Sequence, residues 1–459
     1  MSEVVELIVP NSAEYHLRNP ALNLTGDERE RVVRFSGTYE CEHAVFWTDN
    51  PRVMVLPLGW NEQWYADIHR ELGLTPAPVV SPAMRTGLLV EDLLKDGEAQ
   101  YELRNHLSGH DTVRLLIVGP TPETYLLAAM LRGWGLTVEL DHLPEDDYWA
   151  SLYLDSKVSA LDLARQLPDI RVAQGMVVGN WVELRGALRA MTARHGRVIA
   201  RTLFGVAGDG SAVVSDTPGS VEEFLDNASR DSFFAFPILI QQFVEHAEGI
   251  GCPAADILVG EDGVEDVVWC TLTVEHGYSF RSVDVGQGAL PPVWGERLTK
   301  TARELGEAAH KLGYRGWMCC DCVAGADDQL YVTEINARRS GSLHAGGLLR
   351  MWGAEKELTL SAHFMMPVAD GTTYEDHIRP VFERLWKSGV RAYPTSVRAL
   401  PWPDPIIAVI AAAPTAEEAR QIVAGIQQGI HELAGAPSPK HPFAGGAPEP
   451  VEVPVPSGA

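Results

Sequence analysis

The sequence predicts a combined α/β and α+β fold, in which an α/β unit comes first and a smaller α+β unit lies near the end. Three observations predict this fold class. Apolar runs alternate with a helical stretch in the first third, strand-like runs and a long helical stretch fill the middle, and a last apolar run precedes a capped helix. With 459 residues, the chain has room for about two to four domains.

The first unit is expected over residues 1–155. The segment "VRLLIVGP", which begins at Val113, indicates a buried strand. The segment "TPETYLLAAMLRGWG" indicates a helix that ends at a glycine, and "LTVELDHL" indicates a second strand. Parallel sheets bind ligands at the carboxyl ends of their strands. The first of these strands ends at Gly119 and Pro120 without a following GxGxxG motif, so a dinucleotide site is not supported.

The remaining units follow from the same patterns. The middle unit, 156–356, has predicted strands in "RVIARTLFG" and "ILIQQFVEH" and a helix in "GERLTKTARELGEAAHKLG". The third unit, 357–435, has a strand in "PIIAVIAAA" and then a helix whose start is marked by Pro414 and Thr415. The tail, 436–459, is rich in proline, glycine and alanine, and we expect it to be disordered.

Composition and charge exclude several partners. The 46% of hydrophobic and 22% of charged residues are those of a globular protein. The formal net charge of -25 would repel phosphate backbones and anionic lipid head groups, so neither nucleic acid nor a membrane is an expected partner. The start, "MSEVVELIVPN", lacks a basic region and a cleavage site, and no apolar run is long enough to span a bilayer. We therefore expect a cytoplasmic protein.

The cysteine pattern points to reduced thiols. Three of the six cysteines crowd into "CCDC", from Cys319 to Cys322, where neighbours are too close for an ordinary disulfide framework. Zinc binding is conceivable there, but the other three cysteines show no CxxC pairing. Buried thiols that pack as small hydrophobic groups fit the pattern better.

The most informative segment is "YVTEINARRSGSLH", which begins at Tyr331 and carries unusual polarity for a strand. Strand alternation projects Glu334, Asn336 and Arg338 from one face, and Ile335 and Ala337 from the other. A carboxylate, an amide oxygen and a guanidinium on one face suit a magnesium ion together with phosphate. A structural ion pair on a solvated edge strand is the alternative explanation.

A second acid is expected beside this strand. Asp321 lies in "WMCCDCV", where its neighbours are apolar, and "CVAGADDQLYV" reads as a hairpin with its loop at Gly325 to Gln329. Such a hairpin folds Asp321 back beside Glu334. The oxygen ligands of Asp321, Glu334 and Asn336 would then converge.

A glycine-rich loop, "GVAGDGSAVV", lies between two apolar runs upstream. Its glycines let backbone amides approach phosphate oxygens, although a hairpin turn explains them equally well. The candidate phosphate-binding residues of this loop are Gly205, Gly208, Gly210 and Ser211. Arg201 stands four residues before the loop among apolar neighbours, and such a basic residue in a strand requires an anion.

The segment "ILIQQFVEHAEG" joins a strand to a later acid. After Gln242, the connection through Phe243 and Val244 can offer backbone groups to an adenine edge. Glu248 follows as a carboxylate for the ribose hydroxyls. Each of these pieces is ordinary, but their order along the chain is informative.

This order resembles the ATP-grasp superfamily of carboxylate-amine ligases, over about Ser156 to Gly353 and most specifically in "CDCVAGADDQLYVTEINARRSG". The family pattern is an aspartate, a short hairpin and then E-x-N-x-R. The resemblance implies that Asp321, Glu334 and Asn336 hold Mg²⁺, with Mn²⁺ as an alternative ion. It also implies that Arg338 meets the phosphate of ATP.

Further positions match the family with departures. Lys157, at the head of "KVSALDLARQL", looks like the first nucleotide-binding lysine. Arg201 occupies the place of the second lysine, and its guanidinium would contact phosphate as a planar fork. Gln241 and Gln242 stand where the family often has acids, whereas Glu248 retains the ribose position.

The overall plan looks like the actinobacterial peptide ligases of the pheganomycin type. This resemblance implies an α/β pre-ATP-grasp domain followed by an ATP-grasp fold and a small C-terminal α+β domain. It implies ATP-dependent joining of an amino-acid or peptide carboxylate to the amino group of an amino acid or peptide. The partners would be these small molecules, and the chain would form a homodimer.

Additional residues are candidates for the substrate side. Arg281 could bind the acyl phosphate, or it could be a solvated strand arginine. Arg339 and the turn Ser340, Gly341 and Ser342 resemble a carboxylate-binding turn before a helix, although Ser340 could equally be a helix N-cap. A single helical histidine such as His344 is more often a packing or surface residue than a base.

Other enzyme classes lack their motifs. The chain has no GxxxxGK[ST], GxSxG or HExxH motif and no EF-hand loop. Two alternatives to a ligase remain open at this point. One is an ATP-grasp kinase that phosphorylates a hydroxyl, and the other is a nucleotide-binding protein without catalysis.

Overall fold

Three sheets organise the residues described by a computed structural model of the chain, which are 4–18, 24, 26–204, 210–275 and 279–441. Within those ranges, no helix has the length and apolar character needed to cross a membrane. The sheets are a five-stranded parallel one, a four-stranded antiparallel one and an eight-stranded antiparallel one.

The first unit is the predicted α/β layer, with its strands in the order β3-β2-β1-β4-β5. Its elements are β1 (Val5–Val9), α1 (Ser12–Leu17), α2 (Gly26–Arg34), β2 (Arg52–Val55), α3 (Glu62–Leu72), β3 (Val79–Val80), α4 (Leu89–Lys95), α5 (Gly97–His106), β4 (Thr112–Ile117), α6 (Pro122–Gly133), β5 (Thr137–Leu140) and α7 (Tyr148–Asp155). The predicted strand-helix-strand unit is β4-α6-β5, and Thr121 begins α6 with a capping box to Thr124.

Between α2 and β2 the backbone forms two kinds of non-α helix in succession. A π-helical turn covers Phe35–Tyr39, and a 3₁₀-helix covers Glu40–Phe46. Single π turns are frequent at functional sites, and a 3₁₀-helix places side chains three residues apart on one face. This segment carried no signal in the sequence analysis.

The four-stranded sheet has the order β6-β9-β7-β8. Its elements are α8 (Lys157–Arg165), β6 (Gly175–Val178), α9 (Trp181–His195), β7 (Arg197–Thr202), β8 (Ser211–Ser215), α10 (Ser220–Ala228) and β9 (Ile238–Gln242). Strands β7 and β8 form a hairpin, and its turn contains the glycine-rich loop. Gly205 and Gly208 of that loop lie outside the described residues.

The eight-stranded sheet has the order β14-β13-β10-β11-β12-β15-β17-β16. Its elements are β10 (Cys252–Gly260), β11 (Gly263–Glu275), β12 (Ser279–Val285), α11 (Pro292–Lys311), β13 (Gly316–Ala324), β14 (Leu330–Asn336), α12 (Leu343–Trp352), β15 (Thr359–Pro367), α13 (Arg379–Lys387), β16 (Ala392–Ser396), β17 (Ile406–Ala413) and α14 (Ala416–Ala434). The strands of the third predicted unit, β15 to β17, therefore continue the sheet of the second, because β15 pairs with β12.

Both faces of the large sheet are buried. Alternation along β13 places Cys319 in an apolar cluster shared with the parallel sheet and helices α12 to α14, and Cys320 in a cluster with α7, α8 and α11. All six cysteines are buried and free, which confirms the predicted packing of thiols. The first residues of the predicted tail pack on the fold through His441, while 442–459 lie outside the described residues.

Candidate active site

A cavity of about 310 Å³ lies where the three sheets meet. Its lining includes most of the residues predicted from the sequence, namely Lys157, Arg201, Ser211, Gln242, Phe243, Val244, Asp321, Glu334, Asn336, Arg338, Arg339, Ser340, Gly341 and Ser342. The structure thus brings together, in one place, residues that are up to 185 positions apart in the chain.

The predicted hairpin is confirmed, because β13 and β14 pair antiparallel with Asp321 and Glu334 as Cα partners. Asn336 Nδ2 donates to Asp321 Oδ2 at 3.0 Å, and Cys319 Sγ donates to Asp321 Oδ1 at 3.4 Å. Burial, and then the charge of Glu334, raise the pKa of Asp321 to about 6. Two facing carboxylates that disfavour each other's ionisation are a suitable place for a cation.

The donor set fits a hard divalent ion. Asp321, Glu334 and Asn336 supply carboxylate and amide oxygens, which Mg²⁺ prefers. Among the described residues, no three or more histidine, cysteine, aspartate and glutamate side chains form a metal-binding group. The predicted set has only two carboxylates and an amide, and Mg²⁺ in nucleotide sites commonly completes its shell with phosphate oxygens and water.

Two basic residues, one at the start of α8 and one on β7, converge on Glu334. Lys157 begins α8, is 4% exposed, and its Nζ lies 2.9 Å from Glu334 Oε1. Arg201 on β7 has Nη1 3.9 Å from Glu334 Oε2 and donates from Nη2 to Thr333 O at 2.9 Å and to Gln241. Arg201 Nε is buried without a partner among the described residues. The two cations and Glu334 are thus gathered in one part of the cavity lining.

Arg338 follows β14 by two residues and lines the same cavity as Asn336. Its guanidinium donates to Asn336 Oδ1 at 3.3 Å and to Arg339 O at 3.1 Å. No carboxylate oxygen of the described residues lies within 4 Å of this guanidinium. Arg338 is therefore a cation in the cavity that is available to an anionic ligand.

The backbone around Arg338 is clamped by the first unit. Tyr15 Oη donates to Ala337 O at 3.1 Å, and Ala337 N donates to Asp155 Oδ1 at 3.2 Å. A Cβ at Gly119 would lie 2.3 Å from the Tyr15 ring and 3.0 Å from Arg338 Cβ. The end of β4 therefore approaches the site closely because position 119 has no side chain.

Arg339 has a different environment. It donates from Nη2 to Asp141 and stands over the Trp47 ring with its Cζ 4.9 Å from the ring centroid. Its backbone N–H donates to Val118 O at 2.7 Å. Its charge is thus paired within the protein, and it joins the large sheet to the parallel one.

Both serine hydroxyls of the turn Ser340–Ser342 donate hydrogen bonds to Asp256 on β10. Ser340 Oγ lies 2.5 Å from Asp256 Oδ1, and Ser342 Oγ lies 2.6 Å from Asp256 Oδ2. Asp256 is fully buried, and burial raises its pKa. Ser342 precedes α12 without a side-chain cap bond, so its hydroxyl serves Asp256 rather than the helix.

At the end of β9, Gln242 N donates to Gln174 O at 2.8 Å and Phe243 N donates to Arg197 O at 3.1 Å. Val244 N–H makes no backbone hydrogen bond to another described residue, and it remains available to a ligand. His246 stacks on Phe243 with ring centroids 5.8 Å apart. The sequence analysis named Phe243 but missed His246 as part of the cavity wall.

Three predicted residues lie away from the cavity lining. Gly210 has φ 71°, and its carbonyl accepts from Thr202 N at 2.9 Å to close the β7-β8 hairpin. Glu248 is exposed in a turn after β9, and Arg281 is the extra residue of a bulge in β12. Their predicted contacts with phosphate, ribose and acyl phosphate stay predictions.

The sequence analysis also missed the contribution of the first unit. The cavity lining also includes Ser12, His16, Glu40 and His43. The one local signal in the chain was the spacing of Glu40 and His43, an acid and a histidine three residues apart. Their place at the site depends on α1 and the 3₁₀-helix lying beside the carboxyl end of β1.

No protein-family model and no curated protein sequence matches the chain. Solved structures do match it. An N5-carboxyaminoimidazole synthase from Aspergillus clavatus, in complex with ADP and 5-aminoimidazole ribonucleotide, is 12% identical with a TM-score of 0.51, over 94% of this chain and 99% of that chain. A biotin carboxylase from Campylobacter jejuni is 11% identical with a TM-score of 0.54, over 93% and 91%.

A third similar structure is the biotin carboxylase domain dimer of Hydrogenobacter thermophilus 2-oxoglutarate carboxylase, in complex with MgADP, ADP and bicarbonate. It is 12% identical with a TM-score of 0.53, over 93% of this chain and 89% of that chain. These structures share the ATP-grasp fold, and the likeness confirms the predicted fold of this chain.

Proposed function

We propose that the protein is an ATP-dependent carboxylate-amine ligase. It would join the carboxylate of an amino acid or peptide to the amino group of another, with formation of ADP and phosphate, in the biosynthesis of a peptide natural product. The observation that carries the proposal is that one cavity gathers two acids and three cations. Lys157 and Arg201 lie within 4 Å of Glu334, and Arg338 donates to Asn336, whose side chain donates to Asp321.

The nucleotide would occupy the part of the cavity between the four-stranded sheet and the large sheet. Lys157 and Arg201 would bind its phosphates, and Val244 would offer its free backbone N–H to the adenine edge. Asp321, Glu334 and Asn336 would hold the metal. When bound, Mg²⁺ would neutralise the charge of the β- and γ-phosphate oxygens.

The chemistry requires a carboxylate near Arg338. A carboxylate oxygen would attack the γ-phosphorus of ATP, the bond to the ADP oxygen would break, and an acyl phosphate would result. The amine nitrogen would then attack the acyl carbon, the bond to phosphate would break, and the amine would lose a proton. Positioning and neutralisation of charge are the protein's main tasks in such a reaction, and Arg338 would supply both next to the transferring group.

The test is the release of ADP and phosphate by purified protein with ATP and Mg²⁺. Amino acids are crossed with short peptides, and the wild type is compared with Glu334→Gln. We expect the wild type to release phosphate only in the presence of a matched pair of substrates, and we expect Glu334→Gln to abolish this release. The exposed Glu98→Gln serves as the control variant.

Other outcomes would contradict this proposal. A phosphorylated acceptor without free phosphate would identify a kinase. Nucleotide binding without turnover would identify a binding protein. Equal release by Glu334→Gln would remove Glu334 from the metal site.

A further inference from the structure

The part of the cavity that α1, the 3₁₀-helix and strands β12 and β15 line has its own chemistry. The first unit contributes Ser12, Glu40 and His43 to it, and the large sheet contributes Phe280 and Phe364. The two phenylalanine rings lie with centroids 4.9 Å apart, and Phe364 also meets His43 edge-on at 5.4 Å. One carboxylate therefore stands beside an aromatic wall.

The Glu40 carboxylate is held in place but is not neutralised. Ser12 Oγ donates to Glu40 Oε2 at 2.6 Å. Among the described residues, His16 alone brings a basic nitrogen within 4 Å of this carboxylate, with Nε2 at 3.9 Å from Oε2. Burial and the charges of Arg338 and Arg18 lower the pKa of His16, so this histidine is neutral at neutral pH.

The 3₁₀-helix explains why Glu40 and His43 share this wall. Side chains three residues apart lie on the same face of such a helix. His43 stacks on His344 with ring centroids 4.7 Å apart and an angle of 12°. Burial lowers the pKa of both imidazoles, so neither competes as a cation for the carboxylate. Among the described residues, no lysine or arginine nitrogen lies within 4 Å of the Glu40 carboxylate, although Arg338 stands close enough for this carboxylate to raise its pKa.

We propose that Glu40, oriented by Ser12, binds the ammonium group of the amine substrate, and that this substrate carries an apolar side chain that packs against Phe280 and Phe364. The proposal rests on the proposed function, because it assigns the amine half of that reaction. A carboxylate that is hydrogen-bonded in a partly buried wall binds a primary ammonium through charge-assisted hydrogen bonds. Arg338, on the metal side, would hold the anionic partner at the same time.

Binding of simple amines tests this site without the reaction. The probes are L-phenylalaninamide and L-leucinamide, which have an ammonium group and no carboxylate, and N-acetyl-L-phenylalaninamide, which has no charge. Calorimetry is done on the full chain without nucleotide. Glu40→Gln keeps the size of the side chain and an acceptor for Ser12, and the exposed Glu98→Gln is the control variant.

Expected is saturable binding of both charged amides to the wild type and to Glu98→Gln. Glu40→Gln should bind them at least about tenfold more weakly, since hydrogen bonds to charged groups are among the stronger ones. Ser12→Ala should weaken binding less, because it leaves the carboxylate in place. The acetylated probe should not bind.

Two results would overturn the proposal: equal binding by the wild type and Glu40→Gln, or no saturable binding of either amide to the wild type. Its failure is distinguishable from failure of the proposed function. A chain that binds amines through Glu40 but never releases ADP and phosphate is not the proposed ligase. A chain that releases them with Glu40→Gln unimpaired is a ligase whose amine site lies elsewhere.

Discussion

Asp321 and Glu334 face each other as Cα partners on β13 and β14, and no basic side chain lies within 4 Å of the Asp321 carboxylate among the described residues. Lys157 and Arg201 both approach Glu334 instead. Both ion pairs to basic side chains therefore involve Glu334, and Asp321 has none. The first prediction follows from that asymmetry.

The pH dependence of stability should report on Asp321. Burial and Glu334 raise its pKa to about 6 from an ordinary value of 3.8, so between these values the folded chain holds a proton that the unfolded chain has lost. Without metal, the contribution of this group to the free energy of unfolding should fall as pH rises towards 6. Asp321→Asn should remove that dependence and raise Tm at pH 7.

Added Mg²⁺ should restore the stability that the wild type loses as pH rises towards 6, because a metal ion favours the ionised carboxylate. It should not change the stability of Asp321→Asn in this way. Thermal unfolding at several pH values, with and without Mg²⁺, measures both. Asp262→Asn, at an exposed turn, is the control. A wild-type Tm indifferent to Mg²⁺ would contradict the metal assignment.

The Lys157-Glu334 pair should show strong coupling. Lys157→Met leaves Glu334 beside Asp321 without its nearest cation, and loss of one partner of a buried pair costs about 3 kcal/mol or more. The double variant Lys157→Met/Glu334→Gln should recover part of this loss. Urea unfolding of the four proteins of the cycle gives the coupling energy. Additive effects would show that the pair is not a stabilising contact.

Arg338→Lys should separate charge from geometry. Lysine keeps the positive charge but loses the planar fork that binds two anionic oxygens. We expect kcat/KM for the carboxylate substrate to fall by about 100-fold, in the range seen when one preorganised donor is lost. Nucleotide affinity should change little, since Lys157 and Arg201 would bind the phosphates of the nucleotide. Arg297→Lys, at a surface position of α11 away from the cavity lining, should leave kcat/KM unchanged.

Two glycine substitutions should act in opposite directions. A Cβ at Gly119 would meet the Tyr15 ring at 2.3 Å, so Gly119→Ala should destabilise the protein by about 1–3 kcal/mol and displace Arg338. A Cβ added at Gly133, at the end of α6, would meet no other atom within 4 Å, and Gly133→Ala should stabilise by roughly 0.5–1 kcal/mol. Denaturant unfolding measures both, and equal signs would refute the close approach at Gly119.

Asp256 should be essential for the serine turn. Asp256→Ala removes the shared acceptor of the two serine hydroxyls, which would then keep only the hydrogen bond that they make to each other, so we expect a loss of about 1–3 kcal/mol. Asp256→Asn keeps one acceptor and should be milder. If Ser340→Ala and Ser342→Ala reduce stability but leave the KM of the carboxylate substrate unchanged, the turn has a structural role, and the predicted carboxylate contact is wrong.

Much of the metal side could be predicted from local patterns. The alternation of Glu334 and Asn336 has a period of two residues, and the hairpin that returns Asp321 to them has a short loop. The middle and third predicted units, by contrast, share one sheet through the pairing of β15 with β12. This pairing could not be predicted, because neither segment alone carries a signature of it. The exposed positions of Glu248 and the bulge at Arg281 were equally invisible, since exposure depends on what packs nearby.

By itself, the sequence determined several strands and helices, such as β4, α6, β5, β17 and α14, the buried cysteines and the face that carries Glu334, Asn336 and Arg338. These features depend on side-chain periodicity over a few residues. The tertiary structure alone decided the partners across long separations, such as Arg339 with Asp141, which are 198 residues apart. It also decided that Glu40 joins the site. Such contacts arise only when separate sheets pack, because each partner satisfies a charge or hydrogen bond that no neighbour in the chain can satisfy.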